Sequence, residues 1–327
     1  MNEFELIQRL TRSLPANATV VAGAGDDCAV LDLGVPDKLV LFKTDAVVEG
    51  CHFTRETPPE KIGRKALARC LSDIAAMAGT PVAALVTLAL PENFDAEFVA
   101  RIYAGLNALA EQFQVAIVGG ETTTNPGRIL ISISLLGLVD RGKQVLRGGA
   151  RVGDAIFVTG ELGGSLAGRH LDFEPRLAEA RWLANRFHVH AMLDVSDGLA
   201  GDLRHMLEAG KVGAEILMSA LPVSRAAKLR ARGQVHEPAA ESGAPPARDP
   251  KPKPAALAAL TDGEDFELLF TVASRDAVKL LDSWRKEFLE VKLSCIGKIV
   301  AGEGILLRNK TGTQEFTATG YEHFRKP

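Results

Sequence analysis

Short apolar runs alternate with longer amphipathic ones along most of this chain. In the first part, runs at 39–42, 83–90, 115–118 and 129–139 predict strands. Apolar residues recurring three and four apart predict helices over 58–77 and 95–113. A glycine-rich polar connection, Arg147-Gly148-Gly149-Ala150-Arg151-Val152-Gly153-Asp154, then interrupts the pattern. Strand patterns resume at 155–159, 266–272 and 293–299, and helical ones at 175–187 and 199–207. The alternation predicts an α/β protein of two domains, 1–146 and 147–327. Within the second, residues 233–254 are rich in Pro, Ala, Glu and Lys and lack the apolar surface to pack, so they read as a mobile insertion. No short internal repeat stands out.

What breaks the pattern is acidic. Asp and Glu recur in strings that are otherwise apolar or glycine-flanked: Gly23-Ala24-Gly25-Asp26-Asp27, Thr44-Asp45, Leu71-Ser72-Asp73, Gly119-Gly120-Glu121-Thr122 and Asp194-Val195-Ser196-Asp197-Gly198. A carboxylate beside a buried strand is costly unless it is paired or holds a cation. Convergence of these strings would make a polyanionic pocket. Hard oxygen ligands select Mg2+, which keeps waters and prefers one or two carboxylates together with substrate phosphates. The pattern therefore points to metal and phosphate chemistry.

Each string also has a plainer reading. Asp26 and Asp27 suit an acidic turn, Asp73 a solvent-facing helix position, and Asp197 the cap of the helix that follows. Three features favour the cation site. Thr44-Asp45 ends an apolar run, and small side chains at Ser72, Ala75, Ala76 and Ala78 crowd Asp73. A capping role for Asp197 leaves Asp194, just before a helix N-terminus, unexplained. His52 has no metal-spaced histidine nearby and its role stays open, whereas His188 and His190 are read as structural.

Composition narrows the partners. The 327 residues, 46% hydrophobic and 24% charged, suit a soluble globular protein with room for two cores. A net charge of −3 provides no basic field for nucleic acid or an anionic membrane, so phosphate must be gripped locally and small ligands fit better than polymers. The four cysteines form no CxxC pair, no signal peptide is legible, and no apolar run reaches the roughly 18 residues of a membrane span. A cytoplasmic protein is expected. Gly160-Glu161-Leu162-Gly163-Gly164-Ser165 lacks the lysine of GxxxxGK[ST], and the HRD and DFG set is absent, which excludes P-loop and protein-kinase chemistry.

The acidic strings, taken in order with Thr44-Asp45-Ala46-Val47-Val48-Glu49-Gly50-Cys51-His52-Phe53, Arg147-Gly148-Gly149-Ala150 and Asp262-Gly263-Glu264-Asp265-Phe266-Glu267-Leu268-Leu269-Phe270, resemble the motifs of the thiamine-monophosphate kinase family. The resemblance runs nearly the full length, from Gly23 to Phe324. That family belongs to an ATP-using superfamily with aminoimidazole ribonucleotide synthetase, selenophosphate synthetase and the hydrogenase-maturation dehydratase. The resemblance implies a two-domain aminoimidazole ribonucleotide synthetase-like α/β fold. In it the sheet of the N-terminal domain pairs with its twin in a homodimer, and ATP lies in the cleft against a C-terminal α/β domain. It implies Mg2+ ligands at Asp27, Thr44, Asp45, Asp73, Glu121, Asp194 and Asp197, and ATP contacts at Tyr103, Gly120, Arg147 and Ser196. Thiamine-phosphate contacts fall on His52, Glu264 and Tyr321, an aromatic and a carboxylate suiting a cationic thiazolium. The implied reaction is ATP- and Mg2+-dependent phosphorylation of thiamine monophosphate to thiamine diphosphate by direct transfer.

Three positions depart from the family pattern. Lys43 stands where Ser or Thr is usual, Cys70 where Asn is usual, and Glu121 where Asp is usual. Glu121 keeps its charge but moves it by one methylene. Lys43 would supply an ammonium in place of one Mg2+ if its side chain turns inward. Two rival readings remain: another ATP-dependent enzyme of the superfamily with a different substrate pocket, and a catalytically weak metabolite-binding paralogue.

Overall fold

The computed structural model describes residues 3–234, 253–318, 320 and 321. A short helix, α1 (Glu3–Thr11), precedes β1 (Val20–Ala22), β2 (Ala29–Leu31) and β3 (Lys38–Val48). Then follow α2 (Pro59–Ala76), β4 (Thr80–Leu90), α3 (Ala96–Gln112), β5 (Ala116–Thr124) and β6 (Leu130–Asp140). The six strands form one sheet in the order β1-β2-β3-β6-β4-β5, antiparallel except between β4 and β5. The helices α2 and α3 cover one face, and strand alternation sends Leu39, Leu41 and Val47 of β3 toward them and Phe42 and Thr44 away.

The second half adds β7 (Asp154–Thr159), α4 (Arg169–Asp172), α5 (Leu177–Arg186), β8 (Val189–Asp194), α6 (Leu199–Gly210) and β9 (Gly213–Leu217). It continues with α7 (Arg225–Ala231), α8 (Ala255–Thr261), β10 (Leu268–Ala273), α9 (Ala277–Glu287), β11 (Leu293–Val300), β12 (Ile305–Asn309) and β13 (Gly312–Phe316). Its sheet runs β13-β12-β9-β11-β7-β10-β8. Alternate residues of β7 feed two cores: Phe157 joins the large one shared with α2, and Ile156 and Val158 join one under α6 and α8. The division expected at 146 and 147 falls in the connection between the two sheets. Of the stretch at 233–254, residues 235–252 lie outside the described residues. Among the described residues no helix is long and apolar enough to cross a membrane.

Helix α2 is the spine of the molecule. Pro59 opens it at the first helical turn, where a missing N–H leaves no bond unmade. It packs on the first sheet, on α3, and on α4, α5 and β8 of the second half, so all its residues except Glu60, Lys61, Arg64 and Arg69 are buried. Its contact with α3 is backbone to backbone. A Cβ on Gly63 would lie 1.8 Å from the Ile102 carbonyl oxygen, and one on Gly105 would lie 1.8 Å from that of Glu60.

One expectation needs correction, and one of the plainer readings falls away. Thr44-Asp45 does not end a strand, because β3 continues through Ala46-Val47-Val48, paired with β6 along its whole length. Asp197 does not cap α6: Gly198 holds that position, and the Asp197 N–H donates to Asp202 Oδ2 at 3.0 Å, so a carboxylate one turn later supplies the acceptor.

Because neither backbone can retreat without opening the core, Gly63→Ala should cost about 1–3 kcal/mol or more. Thermal melting should show a fall of several degrees. Gly23→Ala, whose nearest atom is 3.7 Å away, should leave the melting temperature unchanged.

Candidate active site

Asp27 comes from the turn before β2, Asp73 from α2 and Asp194 from the end of β8. All three are buried, and one carboxylate oxygen of each lies within 4.8 Å of the others. Burial, together with the neighbouring Asp27, pushes Asp194 up to about 7. Burial also holds Asp73 above the usual carboxylate range, with Lys43 opposing. Each carboxylate has a partner: Lys43 Nζ lies 2.8 Å from Asp73 Oδ1, Arg147 Nη2 2.5 Å from Asp27 Oδ1, and Ser72 Oγ donates to Asp194 Oδ2 at 2.5 Å. The other oxygen of Asp27, Oδ2, is buried with no hydrogen-bond partner. A buried acceptor left over beside two further carboxylates suits a divalent cation that takes oxygen ligands.

A second cluster adjoins the first. Residues 65, 69, 72 and 73 share a stripe of α2, since helical neighbours are three and four apart. Lys65, only 1% exposed, donates from Nζ to the His52 carbonyl at 2.7 Å and Glu264 Oε2 at 2.5 Å, and lies 2.8 Å from His170 Nδ1. Arg69 bridges Asp45, 2.7 Å from Nε to Oδ2, and Glu264, 3.2 Å from Nη1 to Oε1. Burial opposes ionisation of Glu264, but Lys65, the bond from His170 and Arg69 outweigh it and hold the group at about 2. Burial, and then the Arg69 charge, lower His52 to about 4. It is neutral near pH 7, and because Nδ1 accepts from the Val48 N–H at 3.1 Å, the proton sits on Nε2.

Glu264 sits in a constrained loop. Its φ is 62° and that of Phe266 is 49°, conformations that side chains other than glycine rarely adopt. The loop is pinned by Glu264 N–H to the Ser196 carbonyl at 2.6 Å, Arg169 to Asp265 at 2.6 Å, and Arg176 to Glu267 at 2.8 and 2.9 Å. Tyr321 joins through its N–H to the Asp197 carbonyl at 2.8 Å, which puts Ser196, Asp197, Glu264 and Tyr321 on adjoining backbone.

Other residues singled out in the sequence are not among the three clustered carboxylates. Thr44 points to the opposite sheet face, 3.4 Å from Ser132 Oγ and 3.3 Å from Ser134 Oγ. Gly120 and Glu121 lie on the edge strand β5, where a Cβ on Gly120 would meet the Val86 carbonyl oxygen at 1.7 Å, a packing reason for glycine. The Glu121 carboxylate accepts from the Thr122 N–H at 3.1 Å. Tyr103 is half-buried on α3. The Cys70 thiol lies 3.6 Å from the Ile133 carbonyl, and His190 bonds Asp154 at 2.7 Å, a structural pair. Sequence reasoning missed Lys65, Arg69, His170 and Asp202. The four-residue spacing of Lys65, Arg69 and Asp73 was the available signal for the first two.

Residues 25–139 match the AIR synthase related protein N-terminal domain and residues 151–308 the C-terminal domain. Fold and site thus define a two-domain AIR synthase-related protein. The thiamine-monophosphate kinase of Rhodopirellula baltica is 41% identical over 93% of this chain and 90% of its own length. That of Escherichia coli K12 is 32% identical over 99% of both. The chain belongs to the thiamine-monophosphate kinase family. Among solved structures, AaThiL complexed with AMPPCP and TMP is similar at a TM-score of 0.77 and 29% identity, over 99% of this chain and 97% of that one.

The raised Asp194 makes a signed prediction. Its folded value of about 7 lies above the ordinary 3.8, so the folded chain binds the proton more tightly. Its contribution is most favourable below about pH 4 and is lost as pH rises through about 7. Metal-free Asp194→Asn should therefore melt higher than wild type near pH 8, with the gain shrinking towards about pH 4. A gain independent of pH in paired melting curves would rule out this account.

Proposed function

We propose that this chain transfers the γ-phosphoryl group of ATP to the phosphate of thiamine monophosphate, giving thiamine diphosphate and ADP, at a site where Asp27, Asp73 and Asp194 hold Mg2+. The observation that carries the reading is the meeting of these three carboxylates with one buried oxygen left unpartnered. It occurs in a chain similar over 99% of its length to a protein complexed with AMPPCP and TMP. Bound Mg2+ supplies charge neutralisation to the phosphates.

The residues do the rest. The acceptor is a phosphate oxygen already anionic near neutral pH, so the chain needs no general base, and the obstacle is repulsion between two anions. Arg147 reaches the cluster from the connection between the sheets, with Nη2 on Asp27 and Nε 3.8 Å from Asp26, and its guanidinium pairs with the triphosphate there. Arg69 fixes Asp45 and Glu264 relative to each other. Neutral His52 and anionic Glu264, joined through Lys65, face the thiamine moiety together with Tyr321. Tyr103, Gly120 and Ser196 add nucleotide contacts, and Asp45 and Asp197 add metal ligands.

The working unit is a homodimer in the cytoplasm. Phe42, Leu85, Val118 and Leu136 are exposed on the first sheet, and Phe42 and Leu136 form a register pair on its uncovered face, as an apolar interface requires. Thr44 lies on that face too, beside Ser132 and Ser134, so it belongs with the interface and not with the acidic cluster. The cytoplasmic setting rests on four free cysteines and on ATP as co-substrate.

Incubation with ATP, Mg2+ and thiamine monophosphate should yield thiamine diphosphate by chromatography, and unchanged monophosphate with excess ATP would remove the assignment. Asp45→Asn and Arg147→Met should each lower kcat by about 100-fold or more in folded protein. Phe42→Asp combined with Leu136→Asp should give a monomer by light scattering.

A further inference from the structure

We propose that Lys43 is a built-in counter-cation of the acidic cluster, its ammonium holding Asp73 and taking a place that a divalent ion would otherwise fill. The proposal rests on the metal-binding reading of Asp27, Asp73 and Asp194. Strand alternation in β3 turns Lys43 inward on the same face as Leu41 and Asp45, and its Nζ lies 2.8 Å from Asp73 Oδ1. The neighbouring carboxylates are matched elsewhere: Asp45 by Arg69 and Asp27 by Arg147. Asp194 receives a hydrogen bond from the neutral Ser72 hydroxyl. Lys43 is thus the cation in direct contact with Asp73.

Charge sets the consequence. Loss of Lys43 removes one positive charge from beside Asp73 and leaves the cluster, which also has Asp26 against Arg147, one unit more negative, which favours a further divalent ion. Geometry agrees, since an ammonium hydrogen-bonded to Asp73 Oδ1 fills the approach a metal would need to reach that oxygen. The lysine gives this site a cation that never dissociates, so fewer divalent ions suffice.

Counting Mn2+ by its electron paramagnetic resonance signal, with and without a non-hydrolysable ATP analogue, tests this directly. Lys43→Ser, which opens the space, should bind an additional Mn2+ per chain relative to wild type. Lys43→Met, which removes the charge but keeps the stem, should not. Thermal melting gives a second readout: Mg2+ should raise the melting temperature of Lys43→Ser by several degrees more than that of wild type. Equal Mn2+ counts and equal Mg2+ increments in Lys43→Ser and wild type would overturn the proposal. So would a Lys43→Ser that fails to fold at any Mg2+ concentration while Lys43→Met folds, since the stem and not the charge would then be what matters. Failure of the kinase reading shows separately, as wild type that binds Mn2+ yet makes no thiamine diphosphate.

Discussion

Carboxylates buried side by side repel one another and lose their hydration, and everything near this site answers that constraint. Asp27, Asp73 and Asp194 come within 4.8 Å from a turn, a helix and a strand end. Such a cluster persists only if cations and hydrogen-bond donors are supplied from equally rigid positions. Lys43 of β3, Arg147 of the connection and Ser72 of α2 supply them. Helix α2 also carries Lys65 and Arg69 on the stripe of Ser72 and Asp73, where they meet the adjoining carboxylates Glu264 and Asp45.

That role explains why α2 is buried almost all round. A helix exposed on one side would let its lysine and arginine turn to water, where ion pairs contribute little. Here the first sheet, α3 and the second half enclose it, and Gly63 and Gly105 let α3 approach at backbone distance. Lys65 and Arg69 then have few places to go except Glu264 and Asp45. The opposing wall is held as firmly. Asp262 accepts from the Gly164 N–H and pairs with Arg230 and Lys253, while Asp265 and Glu267 pair with Arg169 and Arg176. These pairs sustain the positive φ angles of Glu264 and Phe266.

A site compensated in this way is ready for anionic substrates. Arg147 already lies against Asp27, so under the proposed function the triphosphate would meet a guanidinium held at the cluster. Lys65 and Arg69 keep the surroundings of Glu264 from being simply acidic. Glu264 is thus a carboxylate embedded between two cations, Lys65 and Arg69.

The sequence by itself determined the longer elements and the identity of the acidic strings, but not, among others, α1, β2, β9, α9, β12 or β13. Periodicity marked α2 and α3 almost to their ends, because long amphipathic repeats are a local signal, and costly carboxylates in apolar strings marked Asp27, Asp73 and Asp194 within a larger set that also held Asp26, Asp45, Glu121 and Asp197. It missed the length of β3, since Lys43, Thr44 and Asp45 read as a polar break, whereas pairing with β6 carries the strand through them. It also missed Lys65, Arg69, His170 and Asp202, which in sequence look like ordinary polar positions of helices. Only the tertiary structure decided which face of β3 each polar residue takes, which cation meets which carboxylate, and that Thr44 and Glu121 stand apart from the cluster. Those outcomes depend on contacts between residues 30 to 200 positions apart, such as Lys43 with Asp73 and Lys65 with Glu264, and no local pattern encodes them.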